Sequence, residues 1–195
     1  MPSKDHDINI YILTGGKSSR MNFKPKALLE YQGESFLQRI IKTAKMLTDQ
    51  VTLIGDQDFN LDFGSEVIKD KFGDIGPCGG IMTALDHSTA QYNIILSCDN
   101  PLIQFETLNF LLEHATPDCI YYYKVAKEDY LFPLLIPGNF SSQWKNRIEK
   151  GHFRLWENIK TLGYRTIDCP AEMINNFINI NTPSEYKHMI HADKS

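Results

Sequence analysis

The chain has 195 residues, of which 42% are apolar and 23% charged, with a formal net charge of −4. That length and mix predict one soluble globular domain over residues 1–195, large enough to bury a proper core. The acidic balance argues against a broad nucleic-acid surface, and the absence of any long unbroken apolar run argues against a membrane span. Cys78, Cys98, Cys119 and Cys169 show neither a C-x-x-C pair nor metal-ligand spacing, and no N-terminal stretch looks like a signal peptide. Reduced thiols in a cytoplasmic protein are the expectation.

Strand and helix patterns alternate along the chain. Ile8, Ile10, Tyr11, Ile12 and Leu13 make an apolar strand that runs into Gly15 and Gly16. Ser35 is placed to cap a helix whose apolar positions Phe36, Leu37, Ile40, Ile41, Ala44 and Leu47 recur at helical spacing. Val51–Ile54 and Glu66–Ile68 read as the next strands, and Gly79–Asp86 as a helix after a glycine-rich turn. Tyr92–Leu96 is near-continuously apolar, as a central parallel strand should be. Phe105–His114 places Phe105, Leu108, Leu111 and Leu112 on one helical face. Cys119–Val125 and Leu131–Ile136 read as strands, and Trp144–Ile159 as an amphipathic stretch broken near Gly151. Thr182-Pro183-Ser184-Glu185 is a capping box with proline at the first helical position, so a last helix starts there. This βαβα order predicts a doubly wound, three-layer α/β/α sandwich with a mostly parallel sheet. Ligands of such sheets sit beyond the carboxyl ends of the strands, where Leu13–Gly16 and Ser97–Asp99 are both expected.

The chemistry concentrates in the first of these ends. Gly15 and Gly16 let the backbone turn and approach a ligand, and Lys17, Arg20, Lys24 and Lys26 follow closely. Backbone amides and cations at a strand end suit a phosphate. An ordinary turn with a solvated basic face is the other reading. The P-loop is excluded because the glycine it needs before the Gly-Lys pair is here Tyr11. The dinucleotide fingerprint is excluded because Lys17–Met21 contains no glycine. Lys26 lies between Pro25 and Ala27-Leu28-Leu29, which would tether it, and Arg20 offers a planar fork for phosphate oxygens. Lys17 and Lys24 read as solvated charges.

Asp99 follows an apolar strand and precedes Asn100-Pro101, so it is either a Mg²⁺ ligand at the rim of the phosphate site or the cap of the next turn. Asn179 and Asn181 alternate with Ile178 and Ile180, which predicts both amides on one side of an extended segment. Asn181 is either a neutral-oxygen metal ligand or a capping residue. Gly76-Pro77 and Gly79-Gly80 either admit a ligand closely or only build a turn, and the six histidines show no ligand spacing.

The stretch LTGGKSSRMNFKPKALL resembles the L-A-G-G-x-S-x-R-M…K-x-L-L signature of small nucleotidylyltransferases, and within these the molybdenum cofactor guanylyltransferases. VIKDKFGDIGPCGGI, ILSCDNPLI and FININTPSEY resemble three further motifs of that family in the same order. The resemblance implies a nucleotide-diphospho-sugar transferase-like fold and Mg²⁺-dependent transfer of GMP from GTP to a pterin-phosphate substrate, molybdenum-bound molybdopterin. It implies catalytic roles for Arg20, Lys26 and Asp99, and nucleotide contacts from Leu13, Thr14, Gly15, Gly16, Lys26, Asp70 and Asp99. It also implies metal ligation by Asp99 and Asn181, a substrate contact from Arg154, and molybdoenzyme assembly proteins as partners. Asp70 has a second reading as an exposed strand-end charge. Four departures stand against the pattern: Thr14 for a small alanine, Ser97 for a proline, Ile54-Gly55 for a nucleotide-contacting Asn, and Leu131-Phe132-Pro133 without the usual polar residue. They leave open a cytidylyltransferase acting on molybdopterin or another phosphorylated small molecule. A non-catalytic nucleotide-binding partner in molybdoenzyme assembly also stays open.

Overall fold

The computed structural model describes residues 7–15, 25–55, 63–73 and 75–192. Strand β1 (Ile8–Leu13) lies between β4 (Val51–Ile54) and β6 (Tyr92–Ser97), parallel to both. β5 (Glu66–Ile68) pairs parallel with the far side of β4. On the other side, β8 (Glu128–Pro137) runs antiparallel to β6 and to β7 (Ile120–Val125), and β9 (Tyr164–Asp168) closes the edge parallel to β7. The sheet order is β5-β4-β1-β6-β8-β7-β9, a mostly parallel sheet with β8 reversed.

The reversal has a local cause. Ala126 and Lys127 join β7 to β8 with φ of 48° and 76°, the left-handed pair that closes a tight hairpin and returns the chain antiparallel. Gln32 and Gly33, with φ of 52° and 79°, close a second hairpin between β2 (Glu30–Tyr31) and β3 (Glu34–Ser35) that the apolar pattern did not announce.

Helices cover both faces, which is why β1 is apolar on both. Ile8, Ile10 and Ile12 pack with Leu37, Ile40 and Ile41 of α1 (Phe36–Lys45) and Leu108 and Leu111 of α3 (Phe105–Glu113). Tyr11 and Leu13 turn to the opposite face, against Ile81, Met82 and Leu85 of α2 (Pro77–His87). That layer continues through Trp144 and Ile148 of α4 (Ser141–Glu149) and Ile159 of α5 (Leu155–Leu162). Ser35 caps α1 in a full capping box with Gln38, and Gly151, at φ 83°, sits in the break between α4 and α5. A final helix, α6, spans Pro183–Ala192. β9 was not expected from sequence: at the sheet edge only Ile167 of its five residues is buried, so no apolar run marks it.

Candidate active site

Register brings the two expected strand-end motifs together. Leu13 pairs with Ser97, so Gly15 and Asp99 each lie two residues past the same point on neighbouring parallel strands. Asp99 is half-buried in the turn where the chain leaves the sheet.

A second stretch of chain is tied to that turn. The amide of Ile180 donates to the carbonyl oxygen of Asp99 at 2.8 Å, which sets Asn181 beside the strand end. Glu185 then fixes the backbone of Asn181: its Oε2 accepts the N–H groups of Asn181 and Thr182 at 2.6 and 2.9 Å. The Glu185 amide donates to Thr182 Oγ1 at 3.2 Å, completing the capping box at the start of α6. The Asn181 N–H is the main reason that the Glu185 carboxyl sits below its usual range, with Lys26 adding a smaller pull.

Lys26 opens a short 3-10 turn, Lys26–Leu28, whose backbone is closed by Leu28 N–H to Pro25 and Leu29 N–H to Lys26, both at 3.0 Å. Ala27 and Leu29 are buried and anchor it. From that base the Lys26 ammonium donates to Asn181 Oδ1 at 2.6 Å, a contact spanning 155 positions of sequence. Cys98, buried between the core and this cluster, senses both charges. Its thiol is pushed up to about 12, chiefly by burial, with the Asp99 carboxylate adding to the rise and Lys26 opposing it.

Asp99 and Asn181 offer hard oxygen donors, and one of them already carries a cation, the Lys26 ammonium on Asn181 Oδ1. Among the described residues no group of three or more His, Cys, Asp or Glu side chains is placed to hold a metal. Two protein oxygens beside an open strand end fit a cation that completes its shell with substrate phosphates and water, the habit of Mg²⁺, and do not fit an all-protein cage.

At the end of β1 the site is built of backbone. Leu13 spends its side chain on the core, lying where a Cβ on Gly80 would come within 2.7 Å of its Cδ2. Thr14 spends both its groups on β4: its amide and its hydroxyl donate to the Ile54 carbonyl at 2.9 and 3.0 Å. Gly15 is exposed, and among the described residues nothing comes within 4 Å of where its side chain would stand. Gly16 and Arg20, together with Lys17 and Lys24, lie outside the described residues.

Other candidates are held in turns and helix packing or lie at the surface. Asp70 sits past β5, two strands from β1, and its Oδ1 accepts the Phe72 amide at 2.9 Å and the Thr83 hydroxyl at 3.0 Å. It builds the turn that seats α2. Gly79 lets that helix approach the loop, since a Cβ there would meet the Phe72 carbonyl oxygen at 2.5 Å. Gly79 and Gly80 are therefore packing glycines. Arg154 is a solvated surface charge, 83% exposed and paired with Glu157 at 3.0 Å. The two isoleucines that alternate with Asn179 and Asn181 differ in burial: Ile180 is 1% exposed and Ile178 is 41% exposed. Among the described residues the segment pairs with no strand of the sheet.

Sequence reasoning missed Asn100. It is 3% exposed, and neither atom of its amide finds a partner among the described residues. It missed the constraint at Gly55 as well, where a Cβ would stand 2.4 Å from Thr14 Oγ1. No local pattern signals either.

The geometry has clear relatives. The model of the MobA-like NTP transferase domain matches residues 10–162. A protein of Clostridium perfringens (strain 13 / Type A) named "Probable molybdenum cofactor guanylyltransferase" is 32% identical over 193 residues, covering 92% of this chain and 94% of that protein. A "Molybdenum cofactor guanylyltransferase" of Shewanella piezotolerans is 25% identical over 190 residues, covering 95% and 93%. A crystal structure from Aquifex aeolicus VF5 superposes with a TM-score of 0.78 at 27% identity, covering 92% of this chain and 96% of that one. Molybdopterin-guanine dinucleotide biosynthesis protein A from Archaeoglobus fulgidus gives the same score, 0.78, at 18% identity over 95% and 98%, a likeness of fold alone. With the strand-end site on a nucleotidyltransferase fold and a family match over most of its length, this chain belongs to the MobA-like NTP transferase domain family.

Proposed function

We propose that this protein is a Mg²⁺-dependent molybdenum cofactor guanylyltransferase. It transfers GMP from GTP to the terminal phosphate of molybdenum-bound molybdopterin and releases pyrophosphate. The observation that carries the reading is the meeting of Lys26, Asp99 and Asn181 at the strand end beside Gly15. The names of its relatives supply the substrates.

The acceptor phosphate is already an anionic nucleophile, so the reaction needs no general base. The barrier is the approach of anions and the charge that builds on the α-phosphate and the leaving pyrophosphate. Asp99 and Asn181 would hold Mg²⁺, which when bound neutralises triphosphate charge. Lys26, tethered by its short turn, contributes a positioned ammonium, and the exposed Gly15 offers a backbone amide. Arg20 and Gly16 complete the phosphate-binding loop in this reading, and Asp70 borders the nucleotide. The free thiols of all four cysteines suit the cytoplasm, where molybdoenzyme assembly proteins would take up the product. Among the described residues no helix is long and apolar enough to cross a membrane.

The test is turnover. The protein with Mg²⁺, molybdenum-bound molybdopterin and GTP should release pyrophosphate and form the guanine dinucleotide, while ATP, CTP and UTP give markedly less. Faster turnover with CTP rejects guanylyl transfer and leaves the phosphate chemistry standing.

A further inference from the structure

The carboxyl ends of β1 and β4 meet in a contact with no slack. Gly55, the first residue past β4, is buried, and a Cβ there would stand 2.4 Å from Thr14 Oγ1 and 3.1 Å from the Gly15 nitrogen. Real Cβ atoms do not approach so closely, so something must move. Thr14 is poorly placed to give way. It is 4% exposed, and its hydroxyl and amide are both bonded to the Ile54 carbonyl. Gly55 is pinned from the other side by its amide donating to the Ile68 carbonyl at 3.2 Å. The path of least resistance is the exposed end of β1, which means Gly15.

We infer that Thr14 and Gly55 are a matched positioning pair that fixes where the Gly15 amide points, and so govern how tightly the site takes a nucleoside triphosphate. The Thr14 hydroxyl occupies the space a side chain at position 55 would need. Its bond to β4 locks the strand end, and the missing side chain at 55 keeps the face of Gly15 clear. The inference rests on the nucleotide site proposed above.

The test is a set of variants titrated with Mg²⁺·GTP by calorimetry, each accompanied by its Tm. Gly55→Ala should weaken binding about tenfold. Thr14→Ala in the same chain removes the obstructing oxygen and should restore binding to about that of Thr14→Ala alone. Thr14→Ser keeps that oxygen and should restore nothing. The alanine-against-serine contrast separates the pair from a general loosening of the fold. If Gly55→Ala lowers Tm but the folded protein binds GTP as tightly as the parent, the pair is only structural and the inference is overturned. Equal rescue by alanine and serine overturns it too. A parent protein that binds no nucleoside triphosphate removes the proposed function and this inference together, and that outcome is distinct because it appears before any substitution.

Discussion

The two halves of the candidate site are made of different materials. At the end of β6 the proposed working groups are side chains: the Asp99 carboxylate, the Asn181 amide and the Lys26 ammonium, drawn from three distant parts of the chain. At the end of β1 the side chains of Leu13 and Thr14 are turned inward, and what faces outward is backbone at Gly15. Asp99 and Lys26 carry full charge and Asn181 adds a neutral oxygen, a set that can hold a metal and transferred phosphate. Backbone amides carry partial charge but stay where the sheet puts them. The β6 half should therefore govern rate, and the β1 half should govern affinity and choice of nucleotide.

Substitution at Asp99 should break the comparison most visibly. Asp99→Ala is expected to lower kcat by roughly 10³-fold at saturating Mg²⁺ with little change in Tm, because a strand-end carboxylate is lost without opening a core cavity. Steady-state kinetics alongside thermal unfolding would check this, and more than about a tenth of the parent kcat would remove Asp99 from the chemistry. Lys26→Ala should cost roughly 10²-fold in kcat. Lys71→Ala, at a lysine 58% exposed and paired with Asp86, should change kcat little. Equal losses would mean that the cations act as a diffuse field.

Changing the nucleotide probes the backbone half. A site that hydrogen-bonds guanine leaves its own buried groups unpaired with the wrong base, so CTP should bind about tenfold or more weakly than GTP. Calorimetry with each nucleotide and Mg²⁺ decides between the guanylyl and cytidylyl assignments.

The smallest effect belongs to the cap that holds Asn181. Glu185 has its carboxyl lowered from 4.5, so its contribution to stability is present above that value and lost as pH falls through the lowered folded value. Glu185→Gln should lower Tm by a few degrees at neutral pH. The gap to the parent should close only as pH drops below 4.5, the value from which the carboxyl is lowered. No gap at neutral pH would show that the amide caps α6 as well as the charge does, and a gap that persists unchanged below that pH would show that the loss does not come from the charge.

Several features of the site were legible in the sequence because their signals are local. A capping box is four consecutive positions, so Thr182 and Glu185 announced the start of α6 before any contact was known. Pro25 and the apolar residues after Lys26 marked a tethered lysine, and Ala27 and Leu29 are indeed buried. The burial of Asn100 was not legible, because nothing beside it in the chain says which way a turn residue points. The unequal burial of Ile178 and Ile180 was not legible either, since two-residue alternation fixes burial only where a segment pairs into a sheet, and this one does not.

The order of elements apart from the β2–β3 hairpin and β9, the apolar strands covered on both faces and the placing of Gly15 and Asp99 past strand ends follow from the sequence alone. Each depends on hydrophobic periodicity or on a turn a few residues long. Tertiary structure alone decided that Lys26 reaches Asn181 and that Thr14 forbids a side chain at Gly55. It also decided that Asp70 and the Gly79-Gly80 pair serve the packing of α2. These depend on strand register and on sub-ångström clearances between segments far apart in the chain, and a one-dimensional pattern carries neither.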